Sequence, residues 1–312
     1  MKLNKNFNIA ILFGGLSSER EVSVSSAIEI YNALPDFLNV NLIELNHLNF
    51  SSFINEFDKD TIVFNALHGG EGENGQIQSY LSHHNIPYTG SDATASMLAM
   101  NKHFTKIIAH ENNVLTPNWL SINLNNSDRS KILSYKSNKF KCPVVVKPNF
   151  QGSTLGLSIV DNLDGIKDAL DTASIYSHNI IVEKFIKGKE LTVGILDDKP
   201  LDIVEIIPKS GLYDYKSKYT KGESEYICPA KLDKNLSSII KENALRIHNA
   251  LGCRHYSRVD FILCEESGRP FMLEVNTLPG MSKTSLLPMS AASKGINFKS
   301  LVKNIIKLAI EN

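Results

Sequence analysis

The sequence predicts a mixed α/β fold in three parts, and three observations lead to that prediction. In the first hundred residues, short apolar strands alternate with helices, which is typical of a parallel, doubly wound sheet. From Glu190 onward, strands follow one another directly, which predicts a mostly antiparallel sheet. A smaller α+β segment with a Gly/Ser loop lies between them. We therefore expect domains at 1–101, 102–184 and 185–312, with a lid-like polar loop at 208–222.

The N-terminal elements are predicted from apolar runs and from helix-start signals. The predicted strands cover 8–13, 40–45 and 61–67, and the predicted helices cover 17–34, 76–84 and 91–112. The third strand runs into a Gly-rich segment that begins at His68. Because ligands bind at the carboxyl ends of parallel strands, we expect this segment to lie at a binding site.

The remaining elements follow from the same patterns. Predicted strands cover 118–122, 143–148, 158–160, 180–184, 190–196, 203–207 and 225–228, followed by a hairpin of 259–263 and 271–275. Predicted helices cover 163–173, 233–251, 285–292 and 297–311, and the one at 233–251 has clear helical spacing of its apolar residues.

Composition narrows the class of protein. The chain has 312 residues, with 33 basic and 33 acidic side chains and a pI of about 7.1, so no overall charge favours nucleic acid or an anionic membrane. The N-terminal apolar run is too short for a signal peptide, and no segment reaches membrane-spanning length. The four cysteines are scattered, which indicates ordinary buried thiols in a reducing compartment. We expect a cytoplasmic protein without membrane insertion.

The hairpin of 259–263 and 271–275 carries charge inside apolar strands. Asp260, Glu274 and Asn276 lie on it, with Arg258 beside Asp260. Buried charge needs a compensating cation, and oxygen ligands of this kind suit Mg²⁺ with phosphate groups. A buried network of arginine and carboxylates is the alternative, and this stretch alone leaves both open.

A second candidate site surrounds Lys147, which ends a short buried strand before the loop 152–156. Glycine lets backbone N–H groups approach an anion, and lysine adds charge, so this segment could bind phosphate. It lacks the ending of a P-loop, and a mobile hairpin with a solvated lysine is the alternative. Strand-end residues 183–186 could read an adenine edge, with Glu190 on a ribose, or could form an edge strand with solvated charges.

Six motifs stand in order over nearly the whole chain. They are F-G-G-L-S-S-E-R-E-V-S from Phe13, L-H-G-G-E-G-E-N-G from Leu67, V-K-P-N-F-Q-G-S-T-L-G-L-S from Val146, Y-D-Y-K-S-K-Y from Tyr213, Y-S-R-V-D-F from Tyr256 and E-V-N-T-L-P-G-M-S from Glu274. Together they closely resemble the D-alanine–D-alanine ligases of the ATP-grasp superfamily. Asn74, Thr154 and His255 depart from the usual family residues, and none of them is assigned to the chemical step.

The resemblance implies a three-domain ATP-grasp architecture and a ligase that joins two D-alanines with ATP. Its implied cofactors are ATP and two Mg²⁺ (or Mn²⁺) ions, and it implies a homodimer that acts in peptidoglycan synthesis. A ligase with another acceptor, such as D-lactate or D-serine, is one alternative. A nucleotide-binding regulatory protein without catalysis is another, which the intact polar positions of the motifs disfavour. The lid motif with Tyr219 favours D-alanine as the acceptor.

The resemblance also assigns roles to individual residues. The implied metal ligands are Asp260, Glu274 and Asn276. The implied ATP-binding residues are Lys102, Lys147, Gly152, Ser153, Thr154, Glu183, Lys184, Phe185, Ile186, Glu190 and Lys218. The implied substrate-binding residues are Glu19, His68, Arg258, Gly280, Ser285 and Leu286, and those implied in catalysis are Glu19, Ser153, Tyr219, Arg258, Gly280 and Ser285. In this scheme Ser153 and Tyr219 link with Glu19 when the lid closes.

Overall fold

The computed structural model of the chain describes residues 8–36, 38–46, 52–57, 60–125, 142–209, 220 and 222–311. Within these ranges the strands form a three-stranded, a four-stranded and a five-stranded sheet. The predicted mixed α/β fold, with a parallel sheet first and antiparallel sheets later, is confirmed. Each sheet falls inside one of the three expected domain ranges, and the domain boundaries themselves stay a prediction.

The first sheet is parallel and has the order β2-β1-β3. Its strands are β1 (Asn8–Gly14), β2 (Asn39–Leu45) and β3 (Thr61–Asn65), and α1 (Arg20–Ala33) connects the first two. The central strand β1 is buried by neighbours on both faces, which explains its continuous apolar run. The motif segments after β1 and β3 therefore emerge side by side at the carboxyl ends of adjacent strands.

Four helices follow β3. They are α2 (Gly70–Glu73), α3 (Gln76–His83), α4 (Ala93–Met100) and α5 (Lys102–Glu111). The prediction of one helix over 91–112 is wrong, because Asn101 adopts an extended conformation between α4 and α5. Its side chain accepts a hydrogen bond from the backbone N–H of Phe104 and caps α5, which is the position that asparagine favours.

The second sheet has the order β4-β7-β5-β6 and is antiparallel. Its strands are β4 (Trp119–Asn123), β5 (Val144–Pro148), β6 (Ser158–Val160) and β7 (Asn179–Lys184). Helix α6 (Ile166–Ser174) covers one face and forms a small core with the valines of β5. This arrangement places Lys147 and Glu183 on neighbouring strands.

The third sheet is antiparallel with the order β10-β9-β8-β11-β12. Its strands are β8 (Gly188–Leu196), β9 (Lys199–Pro208), β10 (Ser224–Ile227), β11 (Tyr256–Cys264) and β12 (Pro270–Asn276). Helix α7 (Lys234–Ala250) packs on one face, and α8 (Leu286–Ser293) packs against β8 and β9 from the other. The predicted hairpin is present as β11 and β12.

The last helix, α9 (Phe298–Glu311), returns to the first sheet. Its buried residues Leu301 and Ile305 share one apolar core with Ile9, Ile30 and Phe64. The first sheet and α9, which are far apart in the sequence, are thus packed together.

All four cysteines are free thiols, but the prediction that all are buried is wrong. Cys253 is buried, whereas Cys142, Cys228 and Cys264 are partly exposed. In the described part of the chain, every helix is too short or too polar to cross a bilayer. Most of the expected lid lies outside the described residues.

Candidate active site

The hairpin brings the four predicted residues onto two rungs of the third sheet, with the pair Val259–Val275 between them. Asp260 of β11 pairs with Glu274 of β12, and Arg258 pairs with Asn276. Because side chains alternate along a strand, positions two apart share a face. The hairpin therefore presents one cation and three oxygen-bearing side chains together.

Arg258 and Asp260 form a two-pronged ion pair. The Nε and Nη2 atoms of Arg258 each donate to a different oxygen of Asp260, both over 2.8 Å. Thr192 also donates to Asp260 over 2.6 Å, and Lys102 Nζ lies 3.3 Å from Glu274 Oε2. The arginine–carboxylate network that the sequence left open is present.

The same side chains suit a hard cation. Two carboxylates and an amide are oxygen donors of the kind that Mg²⁺ prefers. Asp260 and Glu274 line one pocket, and Glu274 and Asn276 line the pocket beside it. Nowhere in the described ranges do three or more His, Cys, Asp or Glu side chains cluster closely enough to hold a metal. Because Mg²⁺ takes an octahedral set of oxygens, these three side chains would share it with water or substrate oxygens.

The first pocket lies between the second and third sheets and collects most of the predicted ATP residues. Those lining it are Lys102, Lys147, Thr154, Glu183, Lys184, Phe185, Ile186 and Glu190. Apolar side chains such as Val145, Ile159 and Leu273 form walls that could hold a flat ring. The predicted residues Gly152 and Ser153 instead line the second pocket.

Glu183, a carboxylate of the first pocket, is paired with two lysines. Lys147 donates to its Oε1 over 2.5 Å, and Lys106 Nζ lies 2.7 Å from its Oε2. The second contact is an ion pair without the alignment of a hydrogen bond. Burial by itself raises the pKa of the Glu183 carboxyl, but the charges of Lys106 and Lys147 outweigh burial and leave that pKa below its usual value. The sequence analysis did not single out Lys106.

The predicted phosphate loop has an unusual backbone. Ser153 and Thr154 both have positive φ, 52° and 63°, which is uncommon for residues other than glycine. Backbone strain of this kind is concentrated at functional sites. Lys102 reaches this loop and donates to the carbonyl oxygen of Gln151 over 2.7 Å.

The second pocket is polar and contains the residues that were predicted to bind the amino-acid substrates. Those lining it are Glu19, His68, Gly152, Ser153, Arg258, Gly280, Ser285 and Leu286. They come from the first sheet, the phosphate loop and the third sheet, so this pocket lies where the three parts of the chain meet. Glu274 of β12 lines both this pocket and the first one.

Glu19 is held between the first sheet and the phosphate loop. The Ser153 hydroxyl donates a hydrogen bond to Glu19 Oε1. A Cβ atom at Gly69 would lie 2.6 Å from Glu19 Oε2, and a Cβ at Gly152 would lie 3.1 Å from it. The positive φ of 65° at position 69 also favours glycine, and a side chain at 69 or 152 would displace the carboxylate.

His68 is buried and hydrogen-bonded. Its Nε2 lies 3.0 Å from the Ser26 hydroxyl, which also accepts from the backbone N–H of Met281. Burial lowers the pKa of His68, against the opposing effect of the Glu19 charge. We therefore describe His68 as a neutral imidazole at pH 7.

Glu73 is a pocket residue that the sequence analysis missed. It is buried and lines the second pocket. Burial raises the pKa of its carboxyl well above the usual value, and the Glu19 charge raises it further. Its place inside the motif that begins at Leu67 was the available signal.

Gly280 and Ser285 lie close together in the segment that precedes α8. A Cβ at Gly280 would lie 2.8 Å from Ser285 Oγ, so no side chain fits there without a shift. Ser285 Oγ also accepts from the backbone N–H of Ser282 over 3.1 Å. Lys218 and Tyr219 lie outside the described residues, and their expected roles stay predictions.

Family comparisons cover both halves of the chain. Residues 108–307 match the family described as D-ala D-ala ligase C-terminus, and residues 39–91 match the one described as D-ala D-ala ligase N-terminus. A D-alanine–D-alanine ligase from Methylacidiphilum infernorum is 41% identical over 97% of this chain and 95% of its own length. One from Aquifex aeolicus is 42% identical over 96% of this chain and 99% of its own.

Solved structures agree in fold. The D-alanine–D-alanine ligase of Bacillus anthracis, complexed with ATP, has a TM-score of 0.82 and 31% identity, over 98% of both chains. The VanG D-Ala:D-Ser ligase of Enterococcus faecalis has a TM-score of 0.85 and 26% identity, over 97% of this chain and 99% of its own.

Proposed function

The chain belongs to the D-alanine–D-alanine ligase family, and from this premise we propose how its two pockets join two D-alanines in an ATP-dependent ligation for the cell wall. The observation that carries the proposal is that both pockets are lined by Glu274. A nucleotide in the first pocket and an amino acid in the second would meet there. The γ-phosphate and the carboxylate that it must activate would thus be adjacent.

The first pocket holds ATP in this proposal. Glu183 and the strand-end segment 184–186 contact the adenine, and Glu190 contacts the ribose. Lys102 and Lys147 contact the phosphates, together with the backbone N–H groups of the loop 152–156. Cations and N–H donors that converge on phosphate are the usual means of stabilising phosphoryl transfer.

The second pocket holds the two D-alanines. Glu19 binds the ammonium group of the first one, and His68 lies near its carboxylate. Ser285 contacts the carboxylate of the second, and Leu286 contacts its methyl group. The hydrogen bond from Ser153 to Glu19 supports this arrangement, because it links the ammonium site to the phosphate loop.

The reaction then takes two steps. A carboxylate oxygen of the first D-alanine attacks the γ-phosphorus of ATP, and ADP leaves, which gives an acyl phosphate. The neutral amine nitrogen of the second D-alanine attacks the carbonyl carbon and the C–O bond to phosphate breaks. The nitrogen loses one proton, which leaves with the phosphate as hydrogen phosphate, and the peptide bond is formed. Arg258 and the N–H of Gly280 stabilise the oxyanion of the tetrahedral intermediate, as donors do in other acyl transfers.

We also propose that Asp260, Glu274 and Asn276 hold two Mg²⁺ (or Mn²⁺) ions. Such ions neutralise phosphate charge during transfer. Arg258 holds the Asp260 carboxylate by both oxygens, which would keep this ligand oriented. A lid at 208–222, with Lys218 and Tyr219, would exclude water from the acyl phosphate. A cytoplasmic homodimer is part of the same proposal.

Ligation to D-serine is the second candidate, because the D-Ala:D-Ser ligase of Enterococcus faecalis has a similar fold at 26% identity. Relatives about 40% identical over nearly the full length are D-alanine–D-alanine ligases, which favours D-alanine.

The test is turnover of the purified protein with ATP and Mg²⁺. Parallel reactions contain D-alanine, L-alanine, or D-alanine with D-serine or D-lactate, and products are identified by mass spectrometry beside phosphate release. We expect D-alanyl-D-alanine as the main product and no product from L-alanine. A mixed product that exceeds the D-alanine dipeptide at equal concentrations would overturn the acceptor assignment, and absence of any ligation product would overturn the function.

A further inference from the structure

Helix α5 carries two buried lysines one turn apart, at 102 and 106. Side chains four residues apart on a helix lie on the same face. Lys102 points to the phosphate end of the first pocket, where it lies 3.3 Å from Glu274. Lys106 lies behind the pocket wall, 2.7 Å from Glu183 at the expected adenine end.

Lys106 is completely buried, so its charge must be balanced by nearby groups. A buried lysine is among the least common features of a protein interior unless it is paired. Lys106 donates to Thr116 Oγ1 over 2.7 Å and lies 5.6 Å from the centre of the Trp119 ring. These contacts aim its ammonium group at one oxygen of Glu183.

Glu183 thereby has a cation on each oxygen, because Lys147 holds Oε1 while Lys106 holds Oε2. A carboxylate held in this way is ionised and can only accept hydrogen bonds. Adenine offers a 6-amino donor, whereas guanine and hypoxanthine offer a 6-oxo acceptor at the same position. A base whose 6-oxo acceptor faces the carboxylate acceptor in a pocket without water binds much more weakly.

We propose that Lys106 is a positioning residue that fixes the Glu183 carboxylate as an acceptor for a purine 6-amino group, and so selects ATP over nucleotides with a 6-oxo group. This inference rests on the proposed use of ATP. Lys106 makes no contact with the reacting atoms, and acts through Glu183 alone. Its pKa, which burial lowers to about 8 although Glu183 raises it, still leaves it mostly charged at pH 7.

The test compares ATP with inosine triphosphate, which differs at the 6-position of the base. Dipeptide formation is measured for the wild type and for Lys106→Met, and binding of ADP and inosine diphosphate is measured by calorimetry. Without Lys106, the buried Glu183 carboxyl gains a proton more easily and can donate to a 6-oxo group. We expect KM for ATP to rise about tenfold with kcat within about threefold, and the ratio of kcat/KM for the inosine nucleotide to that for ATP to rise about tenfold.

A double-mutant cycle identifies the route of the effect. In a Glu183→Gln background, Lys106→Met should change the nucleotide ratio by less than about twofold, because the group through which it acts is gone. Lys241→Met is the matched control. Lys241 forms an ion pair of 2.9 Å with Asp202, and neither residue lines either pocket. It should leave the nucleotide ratio unchanged.

Two results would overturn the inference. One is a folded Lys106→Met protein that has the wild-type nucleotide ratio. The other is a double mutant in which the separate effects of Lys106→Met and Glu183→Gln on that ratio multiply. If Lys106→Met does not fold, Thr116→Val, which removes only a partner of Lys106, decides in its place: an unchanged ratio there overturns the inference. A wild type that makes no dipeptide with ATP would instead reject the proposed function.

Discussion

The hydroxyl of Ser153 donates a hydrogen bond to Oε1 of Glu19, a residue 134 positions earlier in the chain. The bond joins the loop after β5 to the segment before α1, and both of these segments line the polar pocket. It is the contact by which closure over the nucleotide would be coupled to occupancy of the ammonium site.

Ser153→Ala should therefore weaken that coupling. We expect kcat/KM for D-alanine to fall about tenfold to a hundredfold, because the loop and the carboxylate lose their shared hydrogen bond. Steady-state kinetics with coupled ADP detection measure the change. Ser174→Ala, which removes a hydroxyl that donates to Asp171 on α6, is the control and should behave as wild type. Equal kinetics in the two variants would count against the coupling.

Glu274→Gln should weaken the binding of Mg²⁺. The amide is a poorer ligand than the carboxylate, and it also loses the ion pair with Lys102. We expect the Mg²⁺ concentration for half-maximal activity to rise at least about tenfold, with a matching loss of Mg²⁺-dependent ADP binding by calorimetry. Glu265→Gln, at an exposed position in the hairpin turn, is the control. A normal Mg²⁺ titration of the Glu274 variant would remove this residue from the metal site.

His255 should make the fold sensitive to mild acid. Its Nδ1 accepts a hydrogen bond from the backbone N–H of Gly90, and burial, with the Arg254 charge, lowers its pKa to about 4. The unfolded chain has a pKa near 6.5 at this residue, so the unfolded state binds more protons below that pH. The stability that His255 contributes is complete above pH 6.5 and is lost as the pH falls toward 4.

His255→Asn tests this pH dependence, because asparagine tolerates the positive φ of 63° at this position and does not titrate. Urea unfolding is measured at pH 7 and pH 5 for both proteins. The wild type should lose about 2 kcal/mol more than the variant between these two pH values. Parallel losses in the two proteins would show that His255 does not titrate on unfolding in this range.

Ile305→Ala should destabilise the whole molecule. Ile305 is fully buried where α9 meets the first sheet, and the substitution leaves a cavity, so we expect a loss of about 3 kcal/mol in the free energy of unfolding. Ile175→Ala, at a site that is 78% exposed, should change it by less than about 0.5 kcal/mol. Urea denaturation measures both, and similar values for the two variants would contradict the described packing.

Sequence patterns predicted the fold wherever a local signal decides the structure. The apolar run of β1 and the helical spacing of α7 are examples, and the hairpin was predicted from its strands and turn. The break at Asn101 was missed because the residues on both sides of it fit a helical pattern. Only the hydrogen bond by which the Asn101 side chain caps α5 shows that a new helix begins there. Strand order in the sheets depends on contacts between distant segments, which periodicity does not encode.

The candidate site was predicted mainly from motifs. The residues that were missed owe their environment to contacts between distant segments, which the motifs do not show. Lys106 resembles an ordinary solvated helix lysine, and its burial results from the packing of β7, a strand far along the chain. Glu73 lay within a recognised motif, but its pKa is raised by burial and by the charge of Glu19, which belongs to another segment.

The return of α9 to the first sheet also constrains synthesis of the protein. Ile9, Ile30 and Phe64 are made early, but part of the surface that covers them belongs to the last helix. On the ribosome, the parallel sheet must therefore wait with an incomplete apolar face until α9 emerges from the exit tunnel. Because such surface promotes aggregation, a chain that stalls before α9 would depend on chaperones until the helix is made.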